Sequence, residues 1–220
     1  MQNPLHSLVY EINYRVSQLT LTLGWSLRTA GRANVPRTGA VLLIANHQSF
    51  LDPLAIGAAC PRHMAYLAKK TLFKNPVFGA YLRMLSAVPI DQEGVAKEGI
   101  RNIITRLQEG WPVLVFPEGA RTWTGEMGPL QPGVSLLIKR VAAPIVPVGI
   151  AGTFASWRRG TLVPMPSPVF MPPTPRTVAV VFGKPRPAAT VADLPREDML
   201  HVLDADIRAC VQHAEELRRK

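Results

Sequence analysis

The sequence predicts an α/β fold: a single domain with a mixed central β-sheet flanked by helices, preceded by an N-terminal amphipathic helical segment. Three observations carry this. Short apolar runs alternate with segments of helical periodicity, the pattern of a sheet covered by helices. The length of 220 residues suits one domain. Hydrophobic residues make up 47% of the chain against 18% charged, which supplies a real core and excludes a disordered tail protein. Residues 1–32 read as the amphipathic segment and 33–220 as the main domain, with no internal repeat.

The elements follow in order. Leu5 to Thr29 carries apolar side chains at 5, 8, 9, 12, 16, 19, 23 and 27, a helical spacing with Gly31 as its stop. With Tyr10, Tyr14, Trp25, Arg15 and Arg28 it suits a membrane interface, and packing on the core suits it equally. Ala40 to Ala45 is a buried strand, and a helix follows the polar stretch after it. His63 to Ala68 is a second strand, Asn75-Pro76 opens a helix to about Met84, and Ala87 to Ile90 is a short strand. Ala96 to Gln108 is an amphipathic helix with Ile100, Ile103, Ile104 and Leu107 on one face. Pro112 to Phe116 is a strand and Gly133 to Val141 a helix. Strands at Ile145 to Ile150 and Thr177 to Phe182 precede a last helix from about Pro195 to Arg218. Between them, Pro164 to Pro175 is proline-rich and apolar, which forbids a central strand or helix and leaves a loop that can touch lipid or strap the core.

The formal charge is +10. From Ile12 to Ile90 nine Lys and Arg face a single acid, Asp52, and from Met127 to Ala192 seven basic residues face none. Such a chain should meet something acidic. An anionic membrane surface is the favoured partner, each Lys or Arg near it contributing roughly 1 kcal/mol. No nucleic acid is expected, since no zinc-finger, RNP or helix-turn-helix pattern is present. Two distant cysteines, Cys60 and Cys210, exclude a disulfide scaffold and a Cys-rich zinc module and fit a reducing cytosol. The longest helix-compatible uncharged run, Val16 to Leu27, falls short of the ~20 residues that span a bilayer. Glu11, Arg28 and Arg32 spoil a signal peptide.

His47 and Asp52 stand at the carboxyl end of a predicted buried strand, where open α/β sheets place their sites. A carboxylate on one imidazole nitrogen fixes the tautomer and leaves the other free to accept a proton. The alternatives are a core histidine and an aspartate that caps a helix ahead of Pro53, with Ser49-x-x-Asp52 resembling a capping box. Ser49 as a nucleophile lacks a Gly-x-Ser-x-Gly elbow. No metal is expected, because no second His stands at ligand spacing from His47.

Asn46-His47-Gln48-Ser49-Phe50-Leu51-Asp52, taken with Phe116-Pro117-Glu118-Gly119-Ala120-Arg121-Thr122, resembles the first and third signature blocks of the glycerolipid acyltransferase family, most like its bacterial lysophosphatidic acid branch. Lys69-Lys70 through Gly79 to Ile90-Asp91 resembles the second block and Val146-Pro147-Val148-Gly149-Ile150 the fourth, in the family's order over roughly residues 40 to 150. The resemblance implies transfer of an acyl group from an acyl-carrier-protein or coenzyme A thioester to a lysophospholipid hydroxyl, with the thioester as co-substrate and no bound cofactor. It implies His47 as general base and Asp52 as its orienter. It assigns phosphate binding to Arg121 and Lys70, with Glu118 and Gly119 shaping the acceptor site, and the fourth block as core strand first and acyl-pocket wall second. The implied location is the cytoplasmic face of the membrane, peripheral or monotopic. Two positions depart from the pattern: Gln92 stands where the second block has arginine, and Ala120 where the third has threonine. They keep another lysolipid, such as a lyso-ornithine lipid, open as acceptor; a thioesterase and a basic nucleic-acid-binding domain rank below it.

Overall fold

Seven strands are present in the computed structural model, which describes residues 4–84, 87–90 and 96–220: β1 (Arg28–Ala30), β2 (Val41–Ala45), β3 (Ala65–Lys69), β4 (Ala87–Ile90), β5 (Pro112–Val115), β6 (Ile145–Ala151) and β7 (Ala179–Phe182). The helices are α1 (Pro4–Trp25), α2 (Asp52–Ala59), α3 (Pro76–Met84), α4 (Ala96–Gln108), α5 (Gly133–Arg140), α6 (Thr153–Ser156), α7 (Ala189–Ala192) and α8 (Arg196–Leu217). The strands form one sheet in the order β1-β7-β6-β2-β5-β3-β4. Every pairing is parallel except β6 with β7, so the sheet is mixed, as expected.

The unbroken apolar run of β2 follows from burial on both faces of the sheet. Val41, Leu43 and Ala45 join a cluster with Leu21 of α1 and Ala55, Ile56 and Ala59 of α2. Leu42 and Ile44 point the other way, into a cluster with Ile103 and Leu107 of α4, Val134, Leu137 and Ile138 of α5, and Met199, Leu203 and Ile207 of α8. The period-2 alternation thus sorts one strand into two cores, and β2 lies at the middle of three layers.

The first helix ends earlier than its periodicity suggests. Ser26 adopts a positive φ of 50°, and Arg28 then donates its N–H to the Val178 carbonyl (2.9 Å), turning residues 28–30 into the edge strand β1. The apolar stripe of α1 also faces outward. Leu8, Ile12, Val16, Leu19 and Leu23 are 51–60% exposed, while the opposite face buries Tyr10 and Leu21. The Tyr10 hydroxyl exchanges hydrogen bonds with the Met64 carbonyl (3.3 Å) and the Met64 N–H (3.0 Å), which fixes that face.

Strand β6, the predicted fourth block, is buried along its whole length and continuous through Pro147 and Gly149. At Gly149 a Cβ would stand 2.1 Å from the Cys210 carbonyl carbon, so glycine lets the backbone of α8 approach the sheet. Backbone cannot yield as a side-chain tip can. Gly149→Ala is therefore expected to cost about 1–3 kcal/mol through overpacking, read in a thermal melt as a drop of roughly 2–12 °C. An unchanged Tm would show that α8 slides freely on β6.

Candidate active site

The site is built at the carboxyl end of β2. Asn46 prolongs that strand by side chain: its Nδ2 donates to the Ile150 carbonyl (3.0 Å) and its Oδ1 accepts the Ile150 N–H (2.8 Å). The chain then turns sharply before α2, and the turn wraps around the Asp52 carboxylate. Oδ2 of Asp52 accepts the N–H groups of Gln48 (2.5 Å) and Ser49 (2.7 Å) and lies 2.8 Å from His47 Nδ1. Asp52 is fully buried, and these donors offset the desolvation of its charge.

The His47 ring is stacked on Phe116, with centroids 3.9 Å apart at 14°. Nδ1 faces Asp52, so in the neutral ring the proton sits on Nδ1 and the lone pair on Nε2. Nε2 makes no hydrogen bond among the described residues, and the side chain is 18% exposed. The arrangement can take a proton from a hydroxyl brought to Nε2 and hold the resulting imidazolium against a buried carboxylate.

The loop after β5 closes over this turn. The His47 N–H donates to Glu118 Oε1 (2.6 Å), Glu118 Oε2 accepts the Gly128 N–H (2.8 Å), and the Thr122 N–H donates to the His47 carbonyl (3.0 Å). Burial pushes the Glu118 carboxyl up, opposed by those two N–H groups. Glu118 thus staples the two loops and sets the height of His47. Gly119 takes the left-handed conformation (φ 74°) that closes the turn from Phe116 and carries the chain to Arg121.

The Arg121 guanidinium lies over the Phe50 ring, 3.4 Å from its centroid. Its Nη1 is buried with no hydrogen-bond partner among the described residues. Burial lowers its pKa most, the charge of Arg159 adds to this, and Asp52 opposes it. Lys70 is exposed in a single helical turn after β3. That strand is two removed from β2, about 10 Å across the sheet. No hydrogen bond or ion pair joins Lys70 to His47, Asp52 or Arg121 among the described residues. Asp91 and Gln92 lie outside the described residues. His47, Asp52, Glu118, Gly119 and Arg121 therefore come together, and Lys70 shares only their edge of the sheet.

Ser49 is fully buried; its hydroxyl donates to the Trp157 carbonyl (2.7 Å) and accepts the Leu51 N–H (3.1 Å). That occupies it structurally and removes it as a nucleophile. Asp52 caps backwards into the turn rather than forwards into α2. Sequence reasoning gave no role to Asn46, Gln48 and Phe50, although they stand in the first signature block, nor to Arg159. Gln48 Nε2 donates to the Gly125 carbonyl (2.8 Å), and its Oε1 accepts from the Thr153 hydroxyl (3.3 Å). For the first three the signal was that block, a polar stretch after a buried apolar run; for Arg159 there was none beyond its place in an acid-free stretch. Cavity shape alone points elsewhere: a cleft of about 630 Å³ lies between β7 and α8, lined by Phe182, Arg186 and Cys210. There Arg186 is already paired with Asp206 (2.8 Å).

Fold and dyad together define an α/β enzyme with a histidine–carboxylate pair at the mouth of a mostly parallel sheet. Residues 26–151 match the acyltransferase family model, more than half of the chain, and the chain belongs to that family. It is 26% identical over 216 residues to the 1-acyl-sn-glycerol-3-phosphate acyltransferase of Bacillus subtilis (strain 168), covering 96% of this chain and 98% of the relative. The enzyme of the same name from Streptococcus pneumoniae (strain ATCC BAA-255 / R6) is 31% identical over 143 residues, covering 61% of this chain and 52% of the relative. The crystal structure of the 1-acyl-sn-glycerophosphate (LPA) acyltransferase PlsC from Thermotoga maritima superposes with a TM-score of 0.76 over 98% of this chain and 80% of that one. At 22% identity this last likeness is one of fold.

Proposed function

We propose that this acyltransferase moves a fatty acyl group from an acyl thioester, carried by acyl carrier protein or coenzyme A, to the free hydroxyl of lysophosphatidic acid. The observation that carries the reading is the free Nε2 of His47, its ring held through Nδ1 by Asp52, with the unpaired guanidinium of Arg121 on the loop that hydrogen-bonds to the His47 backbone. The names of the relatives support the acceptor. Nε2 takes the hydroxyl proton as the oxygen attacks the thioester carbonyl. The C–S bond then breaks, and the departing thiolate takes the proton back from the imidazolium. Asp52 stabilises that cation, and no acyl-enzyme forms. Proton transfer supplies roughly 10²–10⁴ in rate; alignment of the reactants and stabilisation of the oxyanion supply the remainder.

A labelled thioester offered with and without lysophosphatidic acid tests this. Labelled phosphatidic acid should form only with the acceptor; free fatty acid released at the same rate without it would make the enzyme a thioesterase. Arg121→Ala should raise the acceptor KM roughly 10–100-fold through loss of a charge-assisted contact. A shift confined to the thioester KM would contradict the assignment.

The same reading places the chain on an anionic membrane surface at the cytoplasmic face, peripheral or monotopic. Among the described residues no helix is long and apolar enough to cross a membrane. The outward stripe of α1 meets the proline-rich loop, where Met165 and Phe170 are 55% and 81% exposed. The Ser167 and Val169 N–H groups bond to the Gly24 and Leu23 carbonyls (2.7 and 3.0 Å), and Trp25 Nε1 donates to the Met165 carbonyl (2.9 Å), which joins helix and loop into one apolar surface. Replacing Leu19 and Leu23 together by Asp should weaken sedimentation with anionic vesicles at least ~10-fold, since each leucine buried in lipid contributes about 1.5–3 kcal/mol. Both side chains point away from the core, so Tm should hold. Undiminished vesicle binding would move the docking surface off α1.

A further inference from the structure

Arg159 lies outside every motif read from the sequence, yet the structure sets it at the rim of the site. Its guanidinium lies over the Trp123 ring, 3.9 Å from the centroid. Trp123 is two residues beyond Arg121, and Phe50, which carries Arg121, meets Trp157, two residues before Arg159, at a tilt of 46° with centroids 5.2 Å apart. The two aromatic platforms therefore hold two guanidinium groups at one mouth, near enough for each cation to feel the other. An aromatic face holds a cation without neutralising it. Among the described residues neither arginine has an ion pair or a hydrogen bond, and Arg121 Nη1 is a buried donor without a hydrogen-bond partner. Two like charges in a partly desolvated place oppose each other, and a doubly charged anion between them turns that opposition into attraction.

Building on the proposed function, we propose that Arg159 is the second arm of a two-guanidinium cradle, with Arg121 the first, that selects an acceptor bearing a phosphate monoester. A monoester has three oxygens outside its ester link and nearly two charges, enough for forked contacts to both arginines. A phosphodiester or a zwitterionic head group leaves one arm unmatched. Arg159 thus sets acceptor specificity through a residue unrelated to the base.

The test compares the full-length wild type with Arg159→Gln and Arg159→Lys, using one labelled acyl thioester. The acceptors are lysophosphatidic acid and the monoacylglycerol of the same chain. Wild type should favour the phosphorylated acceptor. Arg159→Gln should raise its KM for that acceptor about 10–100-fold, leaving kcat, the thioester KM and the rate with monoacylglycerol unchanged, and Arg159→Lys should recover part of the loss. Arg159 is exposed, so the variants should melt as wild type does. If wild type prefers the phosphate and Arg159→Gln keeps that preference, the cradle is wrong and the acyltransferase reading stands. Equal losses with both acceptors would also overturn the cradle, making Arg159 a general support of the site. If wild type acylates neither acceptor, the proposed function itself fails.

Discussion

His47→Ala is expected to reduce acyl transfer by roughly 10²–10⁴, the range of a positioned general base, while the protein still folds. The ring stands at the edge of the core, stacked on Phe116 and in contact with solvent. Its removal forfeits a stacking contact of about 0.5–1.5 kcal/mol but leaves both clusters beneath β2 intact. The Glu118 and Thr122 bonds to residue 47 use its backbone and survive the change. Circular dichroism, Tm and thioester binding should therefore stay near wild type while turnover collapses. A variant that lost thioester binding in proportion to rate would instead mark His47 as a binding residue.

Two changes at Asp52 separate charge from scaffolding. Asp52→Asn keeps an oxygen where Oδ2 now accepts the Gln48 and Ser49 N–H groups and faces His47 Nδ1. The turn should hold, but the imidazolium loses its counter-charge, and kcat should fall by roughly 10²–10⁴. Asp52→Ala also strips the acceptor from buried N–H groups, each costing about 1–3 kcal/mol when left unpaired. That variant should lose both rate and several degrees of Tm. Equal Tm losses in the two variants would show that the charge, rather than the hydrogen-bond geometry, holds the turn.

The legible parts of the fold were those in which local pattern and burial agree. Among the described residues β4 and α4 occupy the predicted spans, and β5, α5 and α8 lie within a residue or two of theirs. Strand β1 was not legible, because Arg28-Thr29-Ala30 contains no apolar run; it is an edge strand held by the Val178 carbonyl 150 positions away. In α1 the aliphatic stripe was visible but its direction was not, since aliphatic spacing reads the same toward lipid as toward a core. The residues that decide it, Tyr10 and Leu21, lie on the opposite face. At the site the dyad was readable because five residues suffice to bring His47 back to Asp52. Asn46 and Arg159 were not, because their meaning depends on Ile150 and Trp123, which only the fold brings near.

The most direct test reads the ring itself. In protein labelled with ¹⁵N at histidine, the ring-nitrogen shifts of the His47 neutral form report which atom carries the proton. The geometry predicts hydrogen on Nδ1, donated to Asp52, and a bare Nε2 whose signal moves when acceptor binds. A proton found on Nε2, with Nδ1 bare against the carboxylate, would leave no base at the mouth of the site and contradict the account.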